Sequence, residues 1–382
     1  MSAMLDLQLS SQSCPTMREY LPTVPQPHSD GAQGANILRA LMRRDPEARR
    51  LFDLARANRR RVDSAYDISV TCNMRCEGCL FFDRAGGHGG APHMADLAQF
   101  RALFAEEKAR GITYPLFAGA ETALRQDILM AAAELWDCGM VHTNATIPMR
   151  AEIPFRLYVS MWGHRANTAK WRAAGCYDKV MRNIEGDLRV VVNYTISRAN
   201  IDDIAPVAAD CAARGVRMTF QVYSPTTDYL DFLAEDRRER HPFLHDSAGE
   251  DNLILRPEDD RRACDAVKRA LDAYPETILF SHDLADFVFA KPGIFWGEMI
   301  GDAVPVRCTA AHDAKHRHYQ SDLSLESRKT CGHANIDCRR CRTYTTIYPG
   351  YFQDRLKKIA NEADAYEYLR VHATYHSLFY ID

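Results

Sequence analysis

The chain has 382 residues, of which 46% are hydrophobic and 26% are charged, a composition typical of folded globular proteins and not of disordered chains. Its net charge of −3 excludes a strongly basic protein that would bind nucleic acid through its overall field. No apolar run is long enough to span a membrane, and the first residues lack a secretory signal. We therefore expect a cytoplasmic protein whose cysteines stay reduced.

Residues 1–65 are expected to form an N-terminal arm followed by helices. Residues 1–35 show little periodicity, whereas residues 35–61 have helical periodicity and many arginines. Asp45 and Pro46 suit the start of a second helix, because proline is favoured in a first turn. A solvated face is the favoured interpretation of the arginines, and a docking surface for a phosphate or an acidic partner is the alternative.

From residue 66 to about residue 300, short β-rich segments alternate with helical patterns. This alternation predicts an α/β fold, a partial (β/α)6 TIM-like barrel with a parallel sheet. Catalytic groups in such barrels lie at the carboxyl ends of the strands, where Cys72, Gly119, Asn144, Ser160 and Pro225 fall. The predicted strands are residues 66–70, 114–117, 140–143, 155–161, 188–196 and 217–223, with a further short strand considered at 277–280.

Seven of the twelve cysteines fall into two clusters. The first has the spacing C-x3-C-x2-C and comprises Cys72, Cys76 and Cys79, just after the first predicted strand. Three thiolates can hold three irons of a cubane cluster and leave the fourth iron open to another ligand. The alternative is a zinc site with a distant fourth ligand such as His88 or His93.

This motif at the end of a first barrel strand resembles the radical S-adenosylmethionine (SAM) superfamily. The resemblance implies a [4Fe–4S] cluster on Cys72, Cys76 and Cys79, with SAM bound to the open iron. Reductive cleavage of SAM would then give a 5′-deoxyadenosyl radical that abstracts hydrogen from a substrate. The residue before the third cysteine is usually aromatic in this family, and here it is Gly78.

The resemblance extends to other strand ends, which implies a set of SAM contacts. The segment Gly119-Ala120-Glu121 resembles the family's Gly-Gly-Glu motif, with Glu121 expected to accept a hydrogen bond from the SAM ammonium. Arg172 is expected to bind the SAM carboxylate, with a surface arginine as the alternative. The remaining implied contacts are Phe81, Asn144, Ser160, Asn193, Gln221 and Tyr223.

The second cysteine cluster lies in residues 301–382, which we expect to form a small metal-cluster domain closed by a helical tail over residues 353–380. Its four thiols suit a fully ligated [4Fe–4S] cluster or a structural zinc. After a radical SAM core, the pattern resembles the auxiliary "twitch" or "SPASM" domains, and such a cluster could relay an electron. Nearby histidines could replace a thiolate. The cysteines are Cys308, Cys331, Cys338 and Cys341, and the histidines are His312, His316, His318 and His333.

The sequence does not identify the substrate or a catalytic residue that acts on it. We expect a small-molecule substrate, either a natural product or a nucleoside, and a reductant such as flavodoxin or ferredoxin. A ribosomally made peptide and a lipid or isoprenoid are the alternative substrates. A zinc-stabilised binding protein without enzymatic activity is the alternative of another class.

Overall fold

The computed structural model describes residues 30–83, 94–235, 247, 250–290, 299–300, 304–305, 308, 315–325, 331 and 336–381. His88, His93, His312 and His333, considered above as metal ligands, lie outside these residues. Within the described part of the chain, no helix combines the length and the apolar composition that a membrane span requires.

Seven parallel strands form one open sheet in the order β6-β5-β4-β3-β2-β1-β9. The expected partial barrel is therefore confirmed, although the first strand, predicted at residues 66–70, lies three residues earlier at Asp63–Asp67. Both faces of β5 are buried, as expected for a parallel strand covered by helices on one side and barrel contents on the other. The strands are β1 (Asp63–Asp67), β2 (Tyr114–Ala118), β3 (Met140–Thr143), β4 (Arg156–Met161), β5 (Val190–Ile196), β6 (Arg217–Val222) and β9 (His318–Tyr319), and a separate antiparallel pair is formed by β7 (Met299–Ile300) and β8 (Val304–Pro305).

Helices connect the strands and cover the outer face of the sheet. Their ends follow local sequence signals: Asp45 caps α2 ahead of Pro46, and Asp96 forms a capping box with Gln99 at the start of α4. The helices are α1 (Asp30–Arg44), α2 (Pro46–Arg60), α3 (Leu80–Asp83), α4 (Leu97–Arg110), α5 (Gln126–Ala133), α6 (Arg165–Trp171), α7 (Cys176–Asn183), α8 (Ile204–Ala213), α9 (Thr227–Glu235), α10 (Pro257–Ala273), α11 (His282–Phe289), α12 (Tyr344–Lys358) and α13 (Glu362–Phe379).

Strand β9 was not anticipated, because two residues are too short to show a period in the sequence. It pairs in parallel with β1, placing His318 beside Ala65. The strand considered at residues 277–280 is only a single bridge, between Ile278 and Met218 of β6.

The two ends of the described chain pack together. Leu38 and Leu51 of α1 and α2 share an apolar cluster with Ile359, Tyr368 and Leu369 near or within α13. The expected division at residues 65 and 300 stays a prediction. Two observations bear on it: β1 begins at Asp63, and β9 belongs to the barrel sheet.

The last helix closes the amino end of the barrel. The guanidinium of Arg156 donates to the backbone carbonyls of Ser377, at 2.9 Å, and Tyr380. Arg61 lies over the Phe379 ring, with its guanidinium carbon 3.7 Å from the ring centre.

Strand β1 presents different chemistry on its two faces. Asp63, Ala65 and Asp67 line the barrel interior, whereas Ser64 and Tyr66 point toward the helices. On the helix side, the buried Glu107 of α4 accepts hydrogen bonds from Ser64 at 2.8 Å and Tyr319 at 2.9 Å, and it pairs with Arg110. This network joins α4 to both β1 and β9.

Replacing Glu107 with glutamine should destabilise the fold at neutral pH and less so in acid. Burial raises the pKa of this carboxyl, but hydrogen bonds from Arg110, Ser64 and Tyr319 outweigh it and hold the pKa below its usual value. Because the folded-state pKa is the lower one, the stabilisation is present at neutral pH and is lost as pH falls through that pKa. We expect Glu107→Gln to cost about 2 kcal/mol at pH 7 in urea unfolding, a typical cost for a hydrogen bond to a charged group.

The matched control is Glu106→Gln, one position away and exposed on the same helix, which should change stability by less than about 0.5 kcal/mol. Equal effects of the two substitutions, or a cost for Glu107→Gln that does not shrink on acidification, would contradict this account.

Candidate functional site

A cavity of about 460 Å³ runs through the barrel from the loop after β1 to the C-terminal helices. It contains the side chains that the sequence singled out on separate strands. Every implied SAM contact lines it, together with the three cysteines of the first cluster. These residues are Cys72, Cys76, Cys79, Phe81, Gly119, Ala120, Glu121, Asn144, Ser160, Arg172, Asn193, Gln221 and Tyr223.

The cysteine loop is surrounded by hydrogen-bond donors. The amide of Met74 lies 3.3 Å from the Cys72 sulfur, and Asn144 Nδ2 lies 3.7 Å from it. Arg172 Nε lies 3.3 Å from the sulfur of Cys76. Burial raises the pKa of the Cys72 thiol to about 11 even though the nearby Arg172 lowers it, so a thiolate there needs further positive charge, such as that of a metal.

The donor set of this loop fits an iron–sulfur cluster. Within the described residues, no three His, Cys, Asp or Glu side chains converge closely enough to hold a single metal ion. A cubane cluster does not require that convergence, because each thiolate binds a different iron at a different corner. Cys72, Cys76 and Cys79 would hold such a cluster, and three soft sulfur ligands on one loop suit iron.

Gly119 allows the β2 loop to approach the β1 loop closely. Its φ of +125° lies in a region that favours glycine, and a side-chain β-carbon there would lie 2.8 Å from the carbonyl oxygen of Ser69. Hydrogen bonds continue past the strands, from the Ala120 amide to the Ser69 carbonyl at 2.9 Å and from the Glu121 amide to the Thr71 carbonyl at 3.0 Å. The cysteine loop and the Glu121 loop therefore form one continuous backbone unit.

Glu121 is a buried carboxylate fixed at the edge of the cavity. It accepts hydrogen bonds from the Thr143 hydroxyl at 2.5 Å and from the amides of Asn144 at 2.8 Å and Ala123 at 3.0 Å. Burial raises its pKa, and these hydrogen bonds oppose that rise. The carboxylate is thus held in one orientation and would gain from a cationic partner in the cavity. Thr143 was not among the SAM contacts expected from the sequence.

Arg172 is buried, so the alternative of a surface arginine is wrong. It follows α6, donates to the carbonyl of Ser160, and lies with its guanidinium carbon 5.9 Å from the Trp162 ring centre. Burial disfavours its charge, but the neighbouring Cys76 thiol raises its pKa overall. A permanent cation therefore lies directly beside the cysteine loop.

The strand ends of β5 and β6 supply neutral polar groups. Asn193 is buried, and its Oδ1 makes no hydrogen bond with the described residues. Gln221 donates from Nε2 to Thr195 Oγ1 at 3.0 Å. A buried acceptor without a partner at a cavity wall is suited to a ligand that donates a hydrogen bond.

Tyr223 explains the departure from the family pattern at Gly78. The Tyr223 hydroxyl donates to the Gly78 carbonyl at 3.2 Å, and a β-carbon on residue 78 would lie 1.9 Å from that hydroxyl oxygen. The aromatic side chain of Tyr223, the residue after β6, thus fills the space beside residue 78. Phe81 packs with Phe82 in a small cluster that also contacts Cys72, Cys79 and Ala120.

The second cysteine cluster is described only in parts. Cys308 and Cys341 are buried, and the Cys341 sulfur lies 3.7 Å from Thr343 Oγ1. Cys331 lines the same cavity as the first cluster. Because the described residues show no convergent metal ligands here, an auxiliary cluster on Cys308, Cys331, Cys338 and Cys341 stays a prediction.

Reasoning from the sequence missed one wall of the cavity. Arg61, Asp63 and Asp67 line it from the β1 side, and His316 and His318 line it at and beside β9. The two histidines, considered above as replacement metal ligands, contact aspartates instead: His316 Nδ1 lies 2.6 Å from Asp63, and His318 Nε2 lies 3.2 Å from Asp67. Asp63 and Asp67 are four residues apart and therefore share one face of β1, but nothing local predicted β9.

Comparison with known proteins gives a fold likeness only. No protein-family model matches the chain, and neither does any curated protein sequence. Among solved structures, Streptococcus suis SuiB bound to S-adenosylmethionine is 14% identical, with a TM-score of 0.50 over 71% of this chain. SuiB bound to the precursor peptide SuiA is 12% identical, with a TM-score of 0.49 over 78% of this chain.

The chain spans 60% of the length of the first SuiB structure and 66% of the second. At this identity, the match to the first structure shows that the chain shares its fold with a protein that binds SAM.

The contact between Gly78 and Tyr223 predicts coupled effects of substitution. Gly78→Ala should destabilise the protein by about 1–2 kcal/mol for placing alanine at a positive φ, and further through the clash with the Tyr223 hydroxyl. In a Tyr223→Phe background the cost of the clash should fall. Urea unfolding should therefore show that Gly78→Ala lowers the free energy of unfolding less in that background than in the wild type. Gly111→Ala is the control, because its φ is also positive but a β-carbon there would meet nothing. The contact would be contradicted if Gly78→Ala lowered the free energy of unfolding equally in both backgrounds.

Proposed function

We propose that this chain is a radical SAM enzyme. The observation that carries the proposal is the meeting, in one cavity, of a three-cysteine loop with Glu121, Arg172 and the other implied SAM contacts. These side chains come from six different strand ends and their loops, which the parallel sheet brings to one edge. The fold shared with a SAM-binding protein supports the same reading.

In this proposal, a [4Fe–4S] cluster with bound SAM supplies reductive cleavage of the sulfonium and a hydrogen-abstracting radical. Cys72, Cys76 and Cys79 hold the cluster. Arg172 offers a cation to the SAM carboxylate, and Glu121 offers an anion to the SAM ammonium. Asn193 and Gln221 donate and accept hydrogen bonds at the adenosine end, while Phe81 and Tyr223 exclude water around it.

Replacing any cysteine of the trio should abolish SAM cleavage. We expect Cys72→Ala, Cys76→Ala and Cys79→Ala, each reconstituted anaerobically with iron and sulfide, to lose 5′-deoxyadenosine release under dithionite, because an incomplete ligand set cannot hold the cluster. The measurement is 5′-deoxyadenosine by chromatography, with iron content alongside.

Cys138→Ala is the matched control, since Cys138 is a partly exposed thiol that does not line this cavity. A wild-type chain that binds iron and sulfide yet never releases 5′-deoxyadenosine would overturn the proposal. A wild-type chain that takes up zinc and forms no iron–sulfur cluster would also overturn it, and a zinc-stabilised binding protein would then be the better description.

A peptide is the substrate class that we propose to test first, ahead of the small molecule expected from the sequence. SuiB, whose SAM-bound form shares the fold, has also been solved with a precursor peptide. A reductant such as flavodoxin or ferredoxin is part of the proposal. An auxiliary cluster on the C-terminal cysteines stays a prediction, and no reaction step is drawn through it.

Adding peptide to the reconstituted enzyme should accelerate 5′-deoxyadenosine release. The probe is a host-cell extract separated by size into peptide and metabolite fractions, each added with SAM and dithionite. If the substrate is a peptide, the peptide fraction should stimulate release, and treating that fraction with a protease should abolish the stimulation. Stimulation by the metabolite fraction alone would favour the small-molecule substrate instead.

A further inference from the structure

Two Asp–His pairs line the cavity wall made by β1 and β9. Asp63 and Asp67 lie four residues apart on the face of β1 that lines the barrel interior, and His318 lies opposite Ala65 between them. Asp63 is already engaged, because Arg61 Nε lies 3.2 Å and His316 Nδ1 2.6 Å from its carboxylate. The Asp67–His318 pair lies nearer the cysteine loop, since Asp67 precedes Cys72 by five residues in the sequence.

His318 has an unmet hydrogen-bonding requirement. The residue is 4% exposed, and neither ring nitrogen makes a hydrogen bond with the described residues. Nε2 lies 3.2 Å from Asp67 Oδ2, which orients the ring and can compensate a positive charge on it. A buried imidazole with an unpartnered nitrogen at a cavity wall needs a partner from the cavity contents.

A purely structural role does not explain why His318 lies at the cavity wall. Other buried or paired groups of this chain show the difference. Glu107, on the opposite side of β1, is satisfied by Ser64, Tyr319 and Arg110 among others and does not line this cavity. His372 is buried too, but it stacks on Phe352 with ring centres 3.5 Å apart and lies outside the cavity. His282 pairs with Asp272 at the surface. Of these, His318 alone combines burial, a carboxylate partner and a cavity wall.

We propose that His318, oriented by Asp67, is the group that exchanges a proton with the substrate in this cavity. The inference rests on the proposed function for the identity of the cavity contents. It adds a substrate class: a molecule, within a peptide or free, that carries a hydroxyl or ammonium group beside its reacting carbon.

The step is a proton transfer without redox change. An O–H or N–H bond of the substrate breaks, its electron pair stays on the substrate, and the proton forms an N–H bond with the neutral imidazole of His318. The resulting imidazolium is balanced by the Asp67 carboxylate, and the proton later passes to solvent. His318 is the catalytic residue in this step, and Asp67 is a positioning residue.

The first test labels histidines in the reconstituted wild-type chain. Diethyl pyrocarbonate attacks neutral imidazole nitrogens, and peptide mass spectrometry locates the products. His318 should react more slowly than the surface His282 and faster than the core His372, because only the cavity connects it with solvent. If His318 proves as unreactive as His372, its nitrogens are not available to the cavity and the proposal is overturned.

The second test separates proton transfer from SAM cleavage. With the size fraction of cell extract that stimulates the enzyme, His318→Gln should lower product formation by about 10²–10⁴-fold, the range for general acid–base groups, while uncoupled 5′-deoxyadenosine release persists. His318→Ala should regain product formation when imidazole is added. In a His318→Ala and Asp67→Asn double variant, imidazole should not restore it, because the added ring loses its orienting carboxylate. His282→Gln is the control.

Full product formation by His318→Gln would overturn the inference and leave the proposed function intact. Absence of 5′-deoxyadenosine from the wild-type chain would overturn the proposed function, and the labelling result for His318 would be unaffected by that failure. The two proposals therefore fail in different measurements.

Discussion

The close approach of the loops after β1 and β2 is the constraint on which the candidate site depends. The Ile68 amide donates to the Ala118 carbonyl at 2.9 Å, and two further backbone hydrogen bonds continue this pairing beyond the last residue of each strand. Only a residue without a side chain fits at Gly119. As a result, the loop that carries the thiols and the loop that carries Glu121 keep one relative position, set by the sheet itself.

Two buried side chains of opposite charge lie beside that unit. Arg172 provides a buried cation beside Cys76, and Glu121 provides a buried anion held by three hydrogen bonds. In a low-dielectric cavity such charges interact more strongly than they would in solvent, and each is costly if left uncompensated. The cavity is therefore prepared for a ligand that carries both signs of charge, as the amino-acid end of SAM does.

The sequence sufficed for the barrel and for most of the candidate site because both depend on local patterns. Each strand from β2 to β6 has its own apolar run, and the motif residues lie within or shortly after the strands, so the parallel sheet brings them to a shared edge. Glu121 and Arg172 were named from the resemblance of their segments to a known family, without knowledge of their contacts.

What the sequence did not predict depends on contacts between distant segments. The replacement of a side chain at Gly78 by the Tyr223 ring involves residues 145 positions apart. The Asp67–His318 pair depends on β9, whose two residues carry no period of their own. Neither relation leaves a local trace, because each partner alone is an ordinary glycine, tyrosine, aspartate or histidine. Only the folded backbone makes them neighbours.

The joining of the first and last helices has a consequence for biosynthesis. Asn58 in α2 donates to the backbone carbonyl of His372 in α13, 314 residues later. During translation, therefore, α1 and α2 leave the ribosome long before α13 has been synthesised. Their apolar faces stay uncovered while the barrel is being made. Contacts of such sequence separation form slowly. The amino end of the barrel thus becomes sealed only when the final helix docks, which makes that docking the step most exposed to aggregation or to capture by a chaperone.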